Sequence, residues 1–306
     1  MVVRTVLGDL APEDLGVTDA HDHLFFRSPL LPGQEVDDPD AAAAELRAFA
    51  ELGGRTVVQW TPFGLGGRPQ ALVALARATG VNIVGATGLH QAAHYDPNDL
   101  DALYPRLTEL FVEELTHAMG ESDARAGLIK VAAEYHHLDP HARRTMTAAA
   151  EAHHATGAPI AVHLELGTAA LDVLDLLCGE LDVPPARVIL GHLNRSPDQR
   201  MHRAVAKAGP FISFDGPSRA NHATDWRLLD SIVALAEAGL ADQLLLGADT
   251  TTARARAATG EGPGMPFLLR DLRPRIERER ERGAALATKI LVENPARAFA
   301  ADWRAD

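Results

Sequence analysis

The sequence predicts an α/β fold, a (β/α)8 TIM barrel, built as a single domain over residues 1–306 with a short N-terminal addition. Three observations point there. Eight short apolar runs alternate with longer helical patterns from end to end. Each run is nearly continuous in hydrophobicity, as parallel strands buried on both faces are. The first run is followed by DAHDHLFF (19–26), with no glycine-rich phosphate fingerprint, which argues against an open doubly wound sheet.

The strand runs, in order, are GVTDAH (16–21), RTVVQW (55–60), VNIVGAT (81–87) and GLIKVA (127–132). PIAVHL (159–164), RVILGH (187–192), FISFD (211–215) and QLLLGAD (243–249) complete the eight. Between them stand Ala/Leu-rich segments such as DAAAAELRAFAELGG, PQALVALARATG and RRTMTAAAEAHHATG. Several end in glycine, the residue that most readily takes the left-handed conformation closing a helix. The charge run RDLRPRIERERERG (270–283) reads as the solvated face of a late helix. No repeat or low-complexity linker divides the chain. Its 306 residues, 46% of them hydrophobic, suit one barrel, since such domains commonly reach about 250 residues.

Composition narrows the function classes. A net charge of −13, from 42 acidic against 29 basic residues, opposes nucleic-acid binding, which needs a basic footprint. No apolar run approaches the roughly 20 residues that cross a bilayer, so no membrane role is expected. MVVRTVLGDL has no basic region leading into an apolar one, so no secretory signal is read there. The one cysteine, Cys178, excludes an internal disulfide and fits a reducing cytoplasm. It sits in the apolar helical stretch LDVLDLLCGE and reads as a packing residue.

The chemistry concentrates at the ends of the runs. Active sites of such barrels lie at the C-terminal ends of the strands. There the first run carries His21-Asp22-His23, the fourth Lys130, the fifth His163, the sixth His192 and the eighth Asp249. His21 and His23 alternate on an extended chain, so their imidazoles leave it on the same side. Two imidazoles on one side suit a single divalent ion, to which Asp249 adds an oxygen. His163 and His192, on neighbouring strands, suit a second. Such nitrogen and oxygen donors favour Zn and also accept Co, Mn or Fe. Lys130 is the odd member, because a buried ammonium is costly and offers no lone pair. Carbamylation by carbon dioxide turns its amine into an anionic oxygen donor able to bridge two metals. Each residue alone is weak, since a strand-end histidine is more often a hydrogen-bonded core residue and a strand lysine more often snorkels. Their joint position on one rim carries the reading.

With these residues in view, the chain is similar to the phosphotriesterase-like family of the amidohydrolase superfamily. The similarity runs nearly end to end, through RTVLGDLAPEDLGVTDAHDHLFF, TPFGLGGRP, VNIVGATGLH, GLIKVA, PIAVHLELGT, ARVILGHLNR, FISFDGPSR, LLLGADT and ILVENPARAF. The resemblance implies a binuclear metal-dependent hydrolase. In it His21, His23 and Asp249 bind the more buried metal, His163 and His192 the more exposed one, and a carboxylated Lys130 joins the two. Two cations lower the pKa of a shared water, one polarises the substrate oxygen, and Asp249 takes and relays the proton. It also implies a small-molecule ester or lactone substrate and a homodimer.

Within the family, HLELGTAALDVLDLL and GHLNRSPDQRMHRAVAKAGPFISFDGPSR resemble the sugar-lactone branch, so a lactonase is the expected activity. An organophosphate triesterase or phosphodiesterase on the same centre is the alternative, and a non-catalytic barrel the third reading. Glu165 and Arg219 are candidate substrate contacts, as is Tyr95, which shares the loop after the third run with His90 and His94. The phosphate-binding branch carries a second basic residue two positions past Arg219 and an arginine soon after the last strand's aspartate. Here those places hold Asn221 and Thr252, with Arg254 close by, so the phosphate-recognition set is incomplete. Aromatic residues are only 5% of the chain, which does not favour an aromatic-walled pocket for bulky triesters.

Overall fold

Two short strands open the chain, β1 (Val2–Thr5) and β2 (Gly8–Leu10), paired antiparallel as a hairpin. Next come the barrel strands β3 (Thr18–Asp22), β4 (Thr56–Gln59), β5 (Asn82–Val84) and β6 (Ala86–Gly88). They continue with β7 (Leu128–Ala133), β8 (Ile160–Leu164), β9 (Val188–Gly191), β10 (Phe211–Asp215) and β11 (Leu244–Gly247). The computed structural model describes residues 1–216, 224–259, 261–279 and 283–304.

The parallel ladders run β3-β4-β5 and β6-β7-β8-β9-β10-β11. The third predicted run, 81–87, is thus two strands, interrupted at Gly85. The carbonyl there accepts the Gly127 N–H at 2.8 Å, so β5 pairs back to β4 while β6 pairs forward to β7. The ring closes where the Asp249 N–H donates to the His21 carbonyl at 2.9 Å and the Ala248 N–H donates to Asp19 Oδ1 at 3.1 Å. The other predicted strands fall where their apolar runs place them.

The helices pack outside this ring. α1 (Pro39–Glu51) starts at Asp38, whose carboxylate accepts the N–H groups of Asp40 and Ala41, with proline at its first position. α2 (Pro69–Thr79) stops at Gly80, left-handed at φ 69°. α3 (Pro97–Leu103) and α4 (Leu107–Thr116) share the crossover to β7. α5 (Pro140–Thr156) is capped by Asp139 and ended by left-handed Gly157. Between strands and helices lies a continuous apolar layer that includes Leu46, Phe49, Phe111, Met146, Leu177, Ile232 and Ile290. Cys178 packs against it, and burial pushes its thiol up to about 11, as a packing role requires.

A second apolar cluster fills the barrel floor. Leu128, Ile189, Phe211 and Leu245, at the starts of their strands, meet Val3, Leu15 and Phe299 there. The N-terminal addition is therefore a plug. It is completed by β12 (Ala300–Ala301), which pairs with β1 from the far end of the chain. Composition gave no hint of that strand, since Ala-rich RAFAADW reads as helix. No helix among the described residues is long and apolar enough to cross a membrane.

Candidate metal centre

The inward positions of the barrel change character along its axis. The floor is apolar, whereas the C-terminal tips carry Lys130, His163, Asp215 and, just beyond the last ladder bonds, His192 and Asp249. Small partners make room for them. Gly88 lies in register with Lys130 and Gly191 with His163. Gly247 backs directly onto His21; a Cβ there would lie 2.5 Å from the His21 Cβ, so β11 and β3 approach this closely only through glycine.

His21 and His23 are 1% and 6% exposed, and Asp249 is 2% exposed. Each imidazole brings its Nε2 to 3.6 Å from Asp249 Oδ1. The far nitrogens are anchored. His21 Nδ1 lies 2.9 Å from Asp215 Oδ1, a carboxylate, so it is the donor in that bond. His23 Nδ1 lies 2.7 Å from the Thr61 hydroxyl, which itself donates to the Phe25 carbonyl at 2.6 Å and so accepts from the ring. Both assignments leave the Nε2 lone pairs facing Asp249, the tautomer that binds a metal. Trp60 fixes the plane of His21, stacking on it at 3.7 Å and 16° while its indole N–H holds the Ala20 carbonyl. Burial, aided by the neighbouring His21, drives the His23 imidazole well below its ordinary range and keeps it neutral.

His192 and His163 form the other side. His192 Nε2 is 2.8 Å from His163 Nδ1, and His192 Nδ1 is 2.9 Å from Asp215 Oδ2. His163 is the more open, with 16% of its side chain exposed, and its Nε2 meets Glu165 Oε2 at 3.0 Å. Burial, then the neighbouring His192, pushes His163 down to about 3, so it too is neutral. The bond from His163 holds the Glu165 carboxyl down to about 2.

Three groups join the two sides. Burial alone would raise the Asp215 carboxyl, but His21 and His192 more than offset it and hold it well below the usual range. The same contest at Asp249 is won by Arg195, His192 and His21, and Arg195 hydrogen-bonds Asp249 Oδ2. Lys130 is 2% exposed, and burial brings its amine down to about 7. A positive charge on that amine would lower the pKa of His23, His90, His94 and His163 alike. His192 and Asp249 both hold left-handed backbone, at φ 65° and 56°. Non-glycine residues take that conformation at a cost of roughly 1–3 kcal/mol, and it collects at working sites. The donor chemistry fits metal ions. Ligand atoms of His21, His23 and Asp249 lie within 4.8 Å of one another, as do those of His21, His192 and Asp215.

The other predicted contacts are more mixed. Glu165 stands at the rim, bonded to His163. Tyr95 does not offer its hydroxyl to the site: it donates to the Phe63 carbonyl at 3.1 Å and accepts the His90 N–H at 2.9 Å, bracing the loop. Its ring packs near Phe26, Val36 and Leu65, and burial raises its phenol. His90 and His94 do reach the mouth, stacked at 4.2 Å, with His90 edge-on to His163 at 4.6 Å. Arg219 and Asn221 lie outside the described residues. Thr252 is buried, while Arg254 points outward and pairs with Glu261 at 2.9 Å. Sequence reasoning missed Asp215, Arg195, Trp60 and Thr61. Asp215 alone had a signal, an acidic residue at the tip of FISFD.

Known proteins place this arrangement. The profile of the Phosphotriesterase family matches residues 1–299. The chain belongs to that family. A phospho-furanose lactonase of Mycoplasmopsis synoviae is 31% identical, over 98% of this chain and 92% of its own. A lactonase of Listeria monocytogenes has the same fold at a TM-score of 0.91 and 30% identity, covering 99% of this chain and 100% of its own. A mutant organophosphorus hydrolase from Deinococcus radiodurans superposes at 0.87 with 30% identity, covering 98% of each chain. This phosphotriesterase-family member is therefore a hydrolase on a TIM barrel, in a family whose centre is binuclear and metal-dependent.

Proposed function

We propose that the protein opens a small or sugar-type lactone. One observation carries the reading: two sets of buried imidazole and carboxylate donors, His21–His23–Asp249 and His21–His192–Asp215, meet at the strand tips, and Lys130 is buried on the strand next to that of His163. Two divalent cations, Zn before Co, Mn or Fe, supply polarisation of the substrate carbonyl and a lowered pKa for water. His21, His23 and Asp249 would hold the buried ion, and His163 and His192 the exposed one. Lys130 would serve both. With a pKa near 7 its amine is often neutral at neutral pH and can add carbon dioxide, forming an N–C bond and releasing a proton to solvent.

The chain's own groups then do the following. Asp215 and Thr61 fix the ring orientations of His21 and His23. Asp249, ionised, accepts the proton of the attacking water and returns it to the ring oxygen as the acyl C–O bond breaks. Glu165 and the His90–His94 pair line the approach. No covalent bond to the protein is required.

The second reading, a phosphotriesterase, is favoured by the likeness to the organophosphorus hydrolase. We further propose one domain, a cytoplasmic setting and a homodimer. The test is a lactone panel run beside an activated organophosphate, compared by kcat/KM. Lactones are expected to lead, and chelation is expected to remove activity that added Zn restores. Full activity in metal-free protein would end the metal reading. A triester outrunning every lactone would give the second reading its place, and a metal-loaded protein inert to both would leave a non-catalytic barrel.

A further inference from the structure

We propose that His141 is a positioning residue: through the main chain of His90 it sets where the His90 imidazole stands at the mouth, and so how firmly the substrate is held there. The inference rests on the lactonase reading and adds to it a residue outside the centre.

His141 is the second residue of α5 and is 6% exposed. It reaches back from the helix after β7 to the loop after β6. Its Nε2 lies 2.7 Å from the His90 carbonyl, and since a carbonyl can only accept, Nε2 carries the hydrogen. Nδ1 lies 2.9 Å from the Tyr104 hydroxyl and accepts its O–H when the ring is neutral, the state that burial favours. Tyr104 in turn has the Arg144 guanidinium over its ring, at 4.1 Å. One tautomer of His141 is thereby selected from outside the site, and it is the one that donates to His90.

The residue so held is itself unusual. Both main-chain groups of His90 are taken by side chains, its carbonyl by His141 and its N–H by the Tyr95 hydroxyl at 2.9 Å. Its ring is treated in the opposite way: Nδ1 is buried with no hydrogen-bond partner among the described residues. A buried polar atom left so costs about 1–3 kcal/mol, and a substrate hydroxyl or carbonyl at the mouth would remove that cost. The ring stacks on His94 at 4.2 Å and stands edge-on to His163 at 4.6 Å, while Ser28 Oγ fixes His94 Nδ1 at 2.7 Å. A fixed peptide carrying an uncommitted imidazole is a preorganised contact. Loss of the His141 bond frees the carbonyl end of that peptide and lets the imidazole drift.

The test measures kcat and KM of the metal-loaded full chain on the lactone that ranks first in the panel. His141→Leu should raise KM about tenfold while kcat changes by less than about threefold, the mark of lost substrate holding. His141→Gln, whose amide can donate from the place of Nε2, should bring KM back to within about threefold of wild type. Tyr104→Phe should raise KM about twofold alone and add nothing to His141→Gln, because an amide has no tautomer to select. In a His90→Ala background, His141→Leu should shift KM by less than about twofold, since no imidazole is left to place. Metal affinity, by competition with a chelator, should be equal in wild type and His141→Leu. A purely structural bond would lower stability to urea and leave KM alone. Unchanged KM in His141→Leu overturns the proposal, as does a His141→Gln variant no better than His141→Leu, or an undiminished effect without His90. Should His141→Leu fail to fold, a Tyr104→Phe effect that is absent, or equal in wild type and His141→Gln, overturns it instead. A wild type that opens no lactone overturns the lactonase reading itself, and the proposal with it.

Discussion

The His21–His23 side of the centre and the His163–His192 side use the same residue type, and His163 is held differently from the other three. On the first, each Nδ1 has its own partner, Asp215 or Thr61, and Trp60 stacks beneath. On the second, His192 Nδ1 also faces Asp215, at 2.9 Å, but His163 leans on His192 and on the partly exposed Glu165. A histidine with a dedicated, buried partner keeps one tautomer and one orientation, which raises its value as a ligand. A histidine whose partners are another histidine and a rim carboxylate can reorient. In the proposed centre, that difference would give the buried side the firmer ligation and the open side the exchange and substrate contact.

The largest effect should come from the groups that join the sides. Asp249 Oδ1 faces His21 and His23 while Oδ2 lies 3.8 Å from His192 Nδ1, and Lys130 is buried on the strand next to that of His163. Asp249→Asn and Lys130→Met should each lower kcat by about 10³-fold or more, roughly 4 kcal/mol. Circular dichroism should show an intact barrel. Near-normal turnover in either variant would mean that the two sides work independently.

Asp215 gives the sharper comparison. Its carboxylate serves His21 on one side and the His192 backbone N–H on the other, at 2.6 Å, and accepts from the Ser213 hydroxyl, while Asn194 holds the Asp215 backbone. Asp215→Asn should cost roughly 10–100-fold in metal affinity, measured by competition with a chelator. Thr61→Ala should weaken only the buried ion, because among the candidate ligands its hydroxyl bonds His23, and Glu165→Gln should leave that ion in place. Equal losses from Thr61→Ala and Glu165→Gln would erase the distinction between the sides.

The same contrast explains what was legible in the sequence. Ligand-type residues at strand tips stand out because a chain rarely puts His, Lys or Asp after a run such as GLIKVA or LLLGAD without a use for them. The apolar runs were legible because burial on both faces leaves a nearly continuous signature. Partners were not. Trp60 and Thr61 are ordinary strand-end residues until β4 is seen beside β3, and Asp215 is one aspartate among many until His21 comes within 2.9 Å. Tyr95 was placed in the right loop, but its hydroxyl is claimed by two backbone groups that only the folded chain brings near. The β12 strand was invisible because pairing, and not propensity, makes two alanines a strand.

The smallest effect is expected in the pH dependence of stability of the metal-free protein, and it tests the open side directly. Burial holds His163 at about 3, against 6.5 for a free imidazole. Between those values the unfolded chain carries a proton at this position that the folded chain lacks. Stability from this group therefore rises with pH through the window and is lost as pH falls below about 6.5, by at most about 1.4 kcal/mol per pH unit. Glu165, at about 2 against 4.5, adds to the loss in the same direction at lower pH. Urea unfolding of wild type and His163→Asn at pH 7, 6 and 5 should show a shallower slope in the variant. An unchanged slope would mean that His163 is already charged in the fold, and a charged imidazole has no lone pair for a metal on the side where exchange is assigned.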